Sequence, residues 1–541
     1  MSLLRTLHTL WHLEPVQVTN RLTRRLRPLP RPDTGAARLR PREAQPPCPA
    51  ARRAYDGRSF SFLNQTVPFD GADRWQPAGA SRLWLYRLHC FGWLAGVDPR
   101  DGARLIADWV RSNGQVRGVG WEPYPISLRA REWIEFLVAD PEALQGERDA
   151  VLASLVRQLE VLRARLEFHL LGNHLLENAI TLCWAGLSLE CAASRRWLNA
   201  GWSLLREQLG VQVLADGCHD ERSPMYQAAL AEALLRLAGV ARSCAGPEAA
   251  EIGSLAGDAG ARLASSLERL THPDGEIALI NDAALGETPN AAALRARFAL
   301  ERPGSMRGPW SLEAAGFIGW SGETGYLVLD GGPIGPDHQP GHGHAGALSF
   351  EASHRGVRLV TDTGVFTYDQ GETRAWDRST AGHSTVEVDG RDQSEVWAAF
   401  RCGRRIVPLG TAALAEEDGG AALVAAYRGP GRLLAGVHHH RTLRVSSWGI
   451  RGTDAIVAKG THQATLRLHL GPGLEARDTD DAVVAYQGTT PFAEFSAHRF
   501  DWTIEESPYH PRFGVEATRP CLTAQFGFID DLELSWAIRF L

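Results

Sequence analysis

Lysine is almost missing from this chain: of 57 lysine and arginine residues, Lys459 is the single lysine. The bias runs through the whole length, so it reads as genome composition rather than as a functional signal. A basic field is missing too. Against those 57 residues stand 63 Asp and Glu, a formal net charge of −6, which excludes a global basic surface for nucleic acid. A polyanionic partner would need a local cluster of Arg and His. The eight cysteines are scattered and form no C-x-x-C pair, so zinc-finger and redox motifs are absent and no disulfide framework is indicated. No apolar run is long enough to span a bilayer. The first 30 residues lack the apolar stretch and small-residue cleavage site of a secretory signal. A cytoplasmic location is therefore expected, with the periplasm as the alternative.

What is present fits a large folded protein. Apolar residues make up 44% and charged residues 22% of 541, a length that implies two or three domains. Residues 1–30 read as a basic helix carrying Arg21, Arg24, Arg25 and Arg27. Its main reading is a solvated face packed on the body, with a membrane-surface role as the lesser one. Residues 28–53, rich in Pro and Arg, read as a linker or wrapped arm. From about 75 to 300 apolar residues recur at i, i+3, i+4 and i+7, as in 81–94, 103–110, 128–137, 150–171, 175–189, 196–209 and 225–241. Helices in series with short joints predict a bundle, solenoid or toroid.

After about 305 the period becomes two. Short strands are expected at 325–330, 347–351, 357–361, 384–388, 421–427, 441–445, 465–470, 482–486 and 532–540, which predicts an antiparallel sandwich. The expected organisation is thus an N-terminal arm (1–53), a helical domain (54–304) and a β domain (305–541).

Three clusters could carry chemistry. In Gly172-Asn173-His174-Leu175-Leu176-Glu177-Asn178, Asn173 and His174 fall at a helix start, and His174 and Glu177 share a face. An amide beside an imidazole can hold a carboxylate and stabilise charge developing on it; the plain alternative is a cap Asn and a core His. In Asp216-Gly217-Cys218-His219-Asp220-Glu221-Arg222-Ser223-Pro224-Met225-Tyr226, a polar loop enters a helix. Tyr226 could be a general acid or base beside a cation such as Arg222, or simply core packing. The third cluster is His342-Gly343-His344, Asp362 and His383. As a strand, 342–344 would put both imidazoles on one face, and His344, Asp362 and His383 fit a three-ligand Zn²⁺ or Mn²⁺ site that leaves His342 for catalysis. Satisfied surface histidines are the alternative. Trp121, Tyr124, Trp133 and Arg129 could be sugar platforms and an anion clamp, or core. His438-His439-His440 reads as a solvated strand.

At these clusters the chain resembles the heparinase II/III-like lyases. The resemblance rests on Pro336-Asp337-His338-Gln339-Pro340-Gly341-His342-Gly343-His344-Ala345, Leu348-Ser349-Phe350-Glu351, Val360-Thr361-Asp362-Thr363-Gly364 and Arg378-Ser379-Thr380-Ala381-Gly382-His383-Ser384-Thr385-Val386. Upstream it rests on Gly120-Trp121-Glu122-Pro123-Tyr124-Pro125-Ile126-Ser127-Leu128-Arg129 and Ser223-Pro224-Met225-Tyr226. It covers roughly residues 60 to 540, and the motifs are specific in combination. It implies an α+β multidomain fold, an (α/α) toroid followed by an antiparallel β-sandwich.

By motif, Tyr226 resembles the catalytic acid/base. Asn173 and His174 resemble the pair that meets the substrate carboxylate, with His174 also a candidate base, and His342 resembles a further catalytic histidine. His344, Asp362 and His383 resemble ligands of a structural divalent metal, zinc first, manganese or calcium as alternatives. Glu177 would face the carboxylate or orient His174. In the family an Asp often stands two residues after the second His of the H-x-H motif; here that place is Gly346, which puts the metal's identity and affinity in doubt.

The implied reaction is β-elimination on an acidic polysaccharide or oligosaccharide, leaving unsaturated uronide ends. The rivals are a cupin-like metal oxygenase using His342, His344 and His383 with Glu351 or Asp362, a non-catalytic polysaccharide binder, and a glycoside hydrolase, for which no facing carboxylate pair can be nominated. The sequence leaves the exact polysaccharide, endo or exo action and a homo-oligomer open.

Overall fold

The two apolar periods become two kinds of structure. In the computed structural model the described residues are 3–24, 26, 28, 36–45, 54–144, 146–302, 304, 306–431, 433–480 and 482–541. The helical pattern gives helices Arg82–Cys90, Pro99–Ser112, Pro123–Ala139, Arg148–Ala164, Gly172–Ser188, Ser194–Gln212, Pro224–Arg242, Pro247–Arg269 and Ala291–Phe298. Starts follow capping chemistry. Ser81 accepts a hydrogen bond from Trp84 N, Asn290 accepts one from Ala293 N, and Pro99 follows the capping Asp98; a proline at the first helical position forfeits only a donor that would be unpaired anyway. The pattern over 150–171 is not one helix: it stops at Ala164, and Leu171 takes φ 62° before the next helix begins.

The chain divides into two compact units, Glu14–Val213 with Leu230–Ala261, and Met1–Leu13 with Leu214–Ala229 and Arg262–Leu541. The first is mainly helical, with two short strand pairs, Arg38–Leu39 with Leu189–Glu190 and Ser59–Phe62 with Gln65–Pro68, and with Trp109, Trp133, Trp184 and Trp197 fully buried. Glycines let two of its helices close up: a Cβ at Gly201 would stand 2.6 Å from Cys183 N and 2.9 Å from Ala179 O.

The second unit holds both large sheets. One is five-stranded and sequentially antiparallel: Gly308–Leu312, Phe317–Ser321, Gly325–Asp330, Phe350–His354 and Val357–Val360. The other is ten-stranded, built around the long strands Gly449–His469 and Val515–Phe540, which pair with each other. Leu327, Leu329, Phe350 and Leu359 from the first share a core with Leu423, Leu443, Leu466, Phe495 and Trp536 from the second. The opposite face of the five-stranded sheet is also covered. Trp310, Phe317, Tyr326 and Val328 pack with Cys218, Leu270, Ala278 and Ile280. That is why Gly325–Asp330 is buried at every position, as strands covered on both faces are, and why 214–229 and 262–304 belong with the strands.

Three expectations change. The N-terminal basic helix is two short helices, Leu3–Trp11 and Pro15–Thr23, with Arg25 and Arg27 outside the described residues. Of the 28–53 arm, the described stretch 36–45 is strapped onto the helical unit, since Arg38–Leu39 pairs with Leu189–Glu190 and Arg42 joins the buried Glu135; most of the remainder lies outside the described residues. The strand His438–Ser446 leaves His440 exposed and His438 half-buried, but not His439. His439 is fully buried, 2.7 Å from Asp454, which Arg441 also binds. A buried imidazole needs a partner, and alternation turned this one inward.

Candidate functional site

In the helical unit the first cluster gathers at one helix end. Leu171 (φ 62°) and Gly172 (φ 54°) swing the chain abruptly into helix Gly172–Ser188. Asn173 and His174 thereby occupy the first turn, where backbone N–H groups and the positive end of the helix dipole favour an anion. Asn173 is buried and His174 is 24% exposed. Tyr124 lies against His174 with ring centroids 4.4 Å apart, and Tyr86 stacks on Tyr124 at 6.0 Å.

The partner that orients His174 is Glu167, not Glu177. Glu167 Oε1 is 3.1 Å from His174 Nδ1, while its Oε2 accepts from Asn178 Nδ2 and its own N–H donates to Asn178 Oδ1. Glu177 is taken instead by Arg131, whose Nη2 is 2.5 Å from its Oε2, both side chains being buried. A buried carboxylate must be paired, and the cation is nearer to hand than the imidazole.

Three expected cleft residues are core. Arg129 is fully buried, donating to Gln158 Oε1, His89 O and Gly120 O and lying over Trp109; a guanidinium without exposed surface cannot clamp a polyanion. Trp121 is 3% exposed, its indole donating to Asn113 O. Trp133 is equally buried.

In the sheet unit, Tyr226 is the third residue of helix Pro224–Arg242. Its hydroxyl is 3.0 Å from that of Tyr368, and its ring faces His342 with centroids 4.0 Å apart. The expected cation is employed elsewhere. Arg222 (φ 59°) is buried, with Nη2 2.6 Å from Asp330 Oδ1, Nε donating to Ala315 O and its plane over Phe317.

Residues 342–344 form a loop rather than a strand. What brings both imidazoles together is Asp282, a residue the sequence reading did not nominate. Asp282 Oδ2 is 2.8 Å from His342 Nδ1, and Oδ1 is 2.9 Å from His344 Nε2. Arg374 grips both oxygens at 2.5 and 2.8 Å. Burial alone would raise the Asp282 carboxyl; the Arg374 guanidinium and the two imidazoles outweigh it and hold it well below the usual range. Asn281 (φ 58°), an Asn tolerating the left-handed region, ties the loops: its amide donates to Arg222 O and its carbonyl accepts from His344 N. On the far side of His342, Glu221 Oε2 is 3.5 Å from Nε2.

His344, Asp362 and His383 do come together, each offering a ligand atom within 4.8 Å of the others, all buried. His383 Nδ1 is 2.7 Å from Asp362 Oδ2. Burial lowers the His344 imidazole to about 4, so it is neutral and keeps a lone pair. Burial pulls His383 down as well, but the Asp362 carboxylate more than offsets it and the net shift is upward. His344 Nδ1 and His383 Nε2 are buried with no hydrogen-bond partner among the described residues. Two orphaned acceptors beside a carboxylate are what a divalent cation would satisfy. Glu351, the alternative ligand of the oxygenase reading, is committed to Thr361, Leu279 N, His272 and Arg358. His219, Asp220 and Glu221 form a second buried group of the same kind, in which burial and the neighbouring Glu221 push Asp220 well above the usual carboxylate range.

Set beside known proteins, residues 107–292 match the family described as Heparinase II/III N-terminus, and residues 305–529 match Heparinase II/III-like, C-terminal. A heparin-sulfate lyase of Pedobacter heparinus is 28% identical over 327 residues, 54% of this chain and 48% of that protein. The chain thus matches about half the length of that curated relative. Among solved structures, a heparinase III superposes with a TM-score of 0.67 at 16% identity, covering 86% of this chain and 79% of that one. A mutant heparan sulfate lyase of Pedobacter heparinus gives 0.59 at 17% identity, covering 97% and 88%. The fold expected from the sequence, an (α/α) toroid followed by an antiparallel β-sandwich, is the one the chain adopts.

Proposed function

Because this chain belongs to the heparinase II/III-like family, we propose that it is a polysaccharide lyase that cleaves a uronic-acid-containing glycosaminoglycan by β-elimination. The observation that carries the reading is the Tyr226–His342 pair, a phenol laid against an imidazole that is anchored by Asp282. Such a pair is suited to moving protons at a sugar ring.

In the reaction the C5–H and C4–O4 bonds break, the C4=C5 bond forms, and O4 departs as a hydroxyl of the neighbouring sugar. The C5 proton is weakly acidic because it is α to a carboxylate, and its removal places enolate-like charge on that carboxylate. Asn173 and His174, on a helix N-terminus and with His174 braced by Glu167, are donors of the kind that such charge calls for. Stabilisation of this type is worth about 3–4 kcal/mol per donor. Tyr226 takes the C5 proton and returns one to O4, a role typically worth ~10²–10⁴-fold. His342 donates its Nδ1–H to the ionised Asp282, a hydrogen position assigned from that carboxylate, which leaves Nε2 on the edge facing Glu221.

His344, Asp362 and His383 would hold a divalent cation, zinc first. Manganese and calcium are the alternatives. Bound there, the ion supplies fixed positive charge that ties the 342–344 loop to the strand ends carrying Asp362 and His383. The substrate is an acidic polysaccharide or oligosaccharide. The test is ultraviolet absorbance on a panel of uronic-acid polysaccharides with metal-loaded protein. A rise from the new C4=C5 bond on one member is expected; saturated products, or none on any member, would overturn the reading.

A further inference from the structure

We propose that Asp282 is a positioning residue that couples the cation triad to the catalytic pair: one carboxylate sets the hydrogen position and orientation of both His342 and His344. This rests on the reading that His344, Asp362 and His383 hold a divalent cation.

Asp282 has two oxygens, and each is claimed twice. Oδ2 takes His342 Nδ1 and Arg374 Nη2; Oδ1 takes His344 Nε2 and Arg374 Nη1. An ionised carboxylate only accepts, so each imidazole must present its hydrogen on the nitrogen that faces Asp282. The two rings are therefore held in opposite tautomers, His342 with hydrogen on Nδ1 and His344 with hydrogen on Nε2. The consequence falls on the other edge of each ring. The lone pair of His344 sits on Nδ1, the orphaned atom beside Asp362 and His383. The other edge of His342, Nε2, faces Glu221 Oε2 at 3.5 Å beside the Tyr226 ring.

The clamp has no slack. Asp282 is wholly buried, its own N–H donates to His342 O, and Arg374 is itself fixed by Ala399 O and packed over Tyr368 and Phe400. A cation drawing on His344 Nδ1 strengthens the Nε2–H donor to Asp282. That oxygen belongs to the group that holds His342, so occupancy of the triad is transmitted to the imidazole under Tyr226. A carboxylate serving only to neutralise Arg374 would not need both histidines, and His342 would not answer to the metal.

The experiment uses full-length protein labelled with ¹⁵N at histidine, with zinc loaded and then removed by a chelator, His342 being assigned with His342→Gln. With or without zinc, His342 is expected in the Nδ1–H tautomer that Asp282 fixes; on zinc removal its two nitrogen signals should shift, because the His344 hydrogen bond to the shared carboxylate weakens. His439, held by Asp454 in the sandwich core, should not move. In Asp282→Asn, zinc affinity should fall ~10–100-fold, as for lost outer-sphere partners generally, and kcat should fall while KM is nearly unchanged. If Asp282→Asn does not fold, because Arg374 is left unpaired, the wild-type spectra decide. Zinc-loaded wild type whose His342 signals ignore the metal overturns the coupling alone. Wild type that takes up no divalent cation overturns the metal reading, and the coupling with it.

Discussion

Tyr226 and His342 lie ring to ring, their centroids 4.0 Å apart and their planes inclined by 32°. The phenol hydroxyl reaches Tyr368 at 3.0 Å, so the imidazole supports the face of the ring and leaves the hydroxyl at the working edge. Removing that oxygen deletes proton transfer and little else. Tyr226→Phe should lower kcat by ~10²–10⁴-fold. Its unfolding free energy should change by about 1 kcal/mol, the scale of a lost hydrogen bond. Steady-state absorbance kinetics and a denaturant melt measure the two. Retention of wild-type turnover would remove Tyr226 from the chemistry.

Glu167 offers a cleaner test of the helical group than His174 itself. In Glu167→Gln the side-chain oxygen can still accept from Asn178, but the new amide nitrogen cannot accept from His174 Nδ1. The variant should fold with a near-native melt. Hydrogen bonds to charged groups are worth about 1.5–3 kcal/mol, which sets the expected loss in kcat/KM at roughly 10–100-fold. A variant indistinguishable from wild type would mean that His174 needs no brace, and the assignment of this histidine to the substrate carboxylate would lose its support.

The sequence patterns told the side-chain sets better than their partners. Tyr226, His342, His344, Asp362 and His383 were visible because each sits in a polar motif at the end of an apolar run. Asp282 was not: it stands 60 residues before His342 in a short turn, and nothing local distinguishes an acid that binds two histidines from one that caps a turn. Glu167 was hidden for the same reason, its partner Asn178 being one helix further on. Arg129 misled in the opposite sense. An arginine in a helix is ordinarily placed in solvent, but the toroid helix Pro123–Ala139 is buried on most of its circumference. The guanidinium is satisfied inside by Gln158 and two carbonyls. Helical period gives a face; it does not say how many faces are covered.

Gly201→Ala tests how the helical group is supported. A Cβ there would meet Cys183 N at 2.6 Å, Leu182 Cβ at 2.8 Å and Ala179 O at 2.9 Å. Backbone atoms cannot step aside, so helix Ser194–Gln212 must move off helix Gly172–Ser188. Overpacking of this kind costs about 1–3 kcal/mol, or roughly 2–12 °C in Tm for a domain of this size. Calorimetry decides; an unchanged Tm would show that the two helices are less tightly apposed than described.

Acid should weaken the sheet unit through Glu351. Burial would raise this carboxyl, but the bonds and charge of His272, the Arg358 guanidinium and the Thr361 hydroxyl hold it down to about 2. Its folded value lies below its unfolded one of ~4.3. The stability it contributes is therefore complete above about pH 4.3 and lost as pH falls from there toward 2. Glu351→Gln cannot titrate. It should be less stable than wild type at neutral pH, and the gap should narrow as pH falls through that window. A gap that stays constant down to pH 2.5 would mean that Glu351 is not held down.

Gly346 stands where the resembled family often has an acid, and the structure supplies a reason for glycine. A Cβ at this position would lie 2.9 Å from His383 Cγ and 3.1 Å from both Cδ2 and Nδ1. The ring cannot swing away, because Nδ1 is held by Asp362 and the whole side chain is buried. Gly346→Ala should therefore displace His383 from its ligand position and weaken zinc binding by ~10–100-fold, the range seen when a ligand's setting is disturbed. Gly341→Ala in the same loop is the control, since its added carbon would find Phe400 at 3.6 Å, an ordinary contact, and should leave zinc affinity unchanged. Competition titration against a chromophoric chelator reads both. Equal affinities for the two variants would show either that the cation is held without His383 or that the loop yields freely, and a visible spectrum of the cobalt-substituted proteins separates these: an altered spectrum in Gly346→Ala means that His383 has left, an unaltered one that the loop has given way.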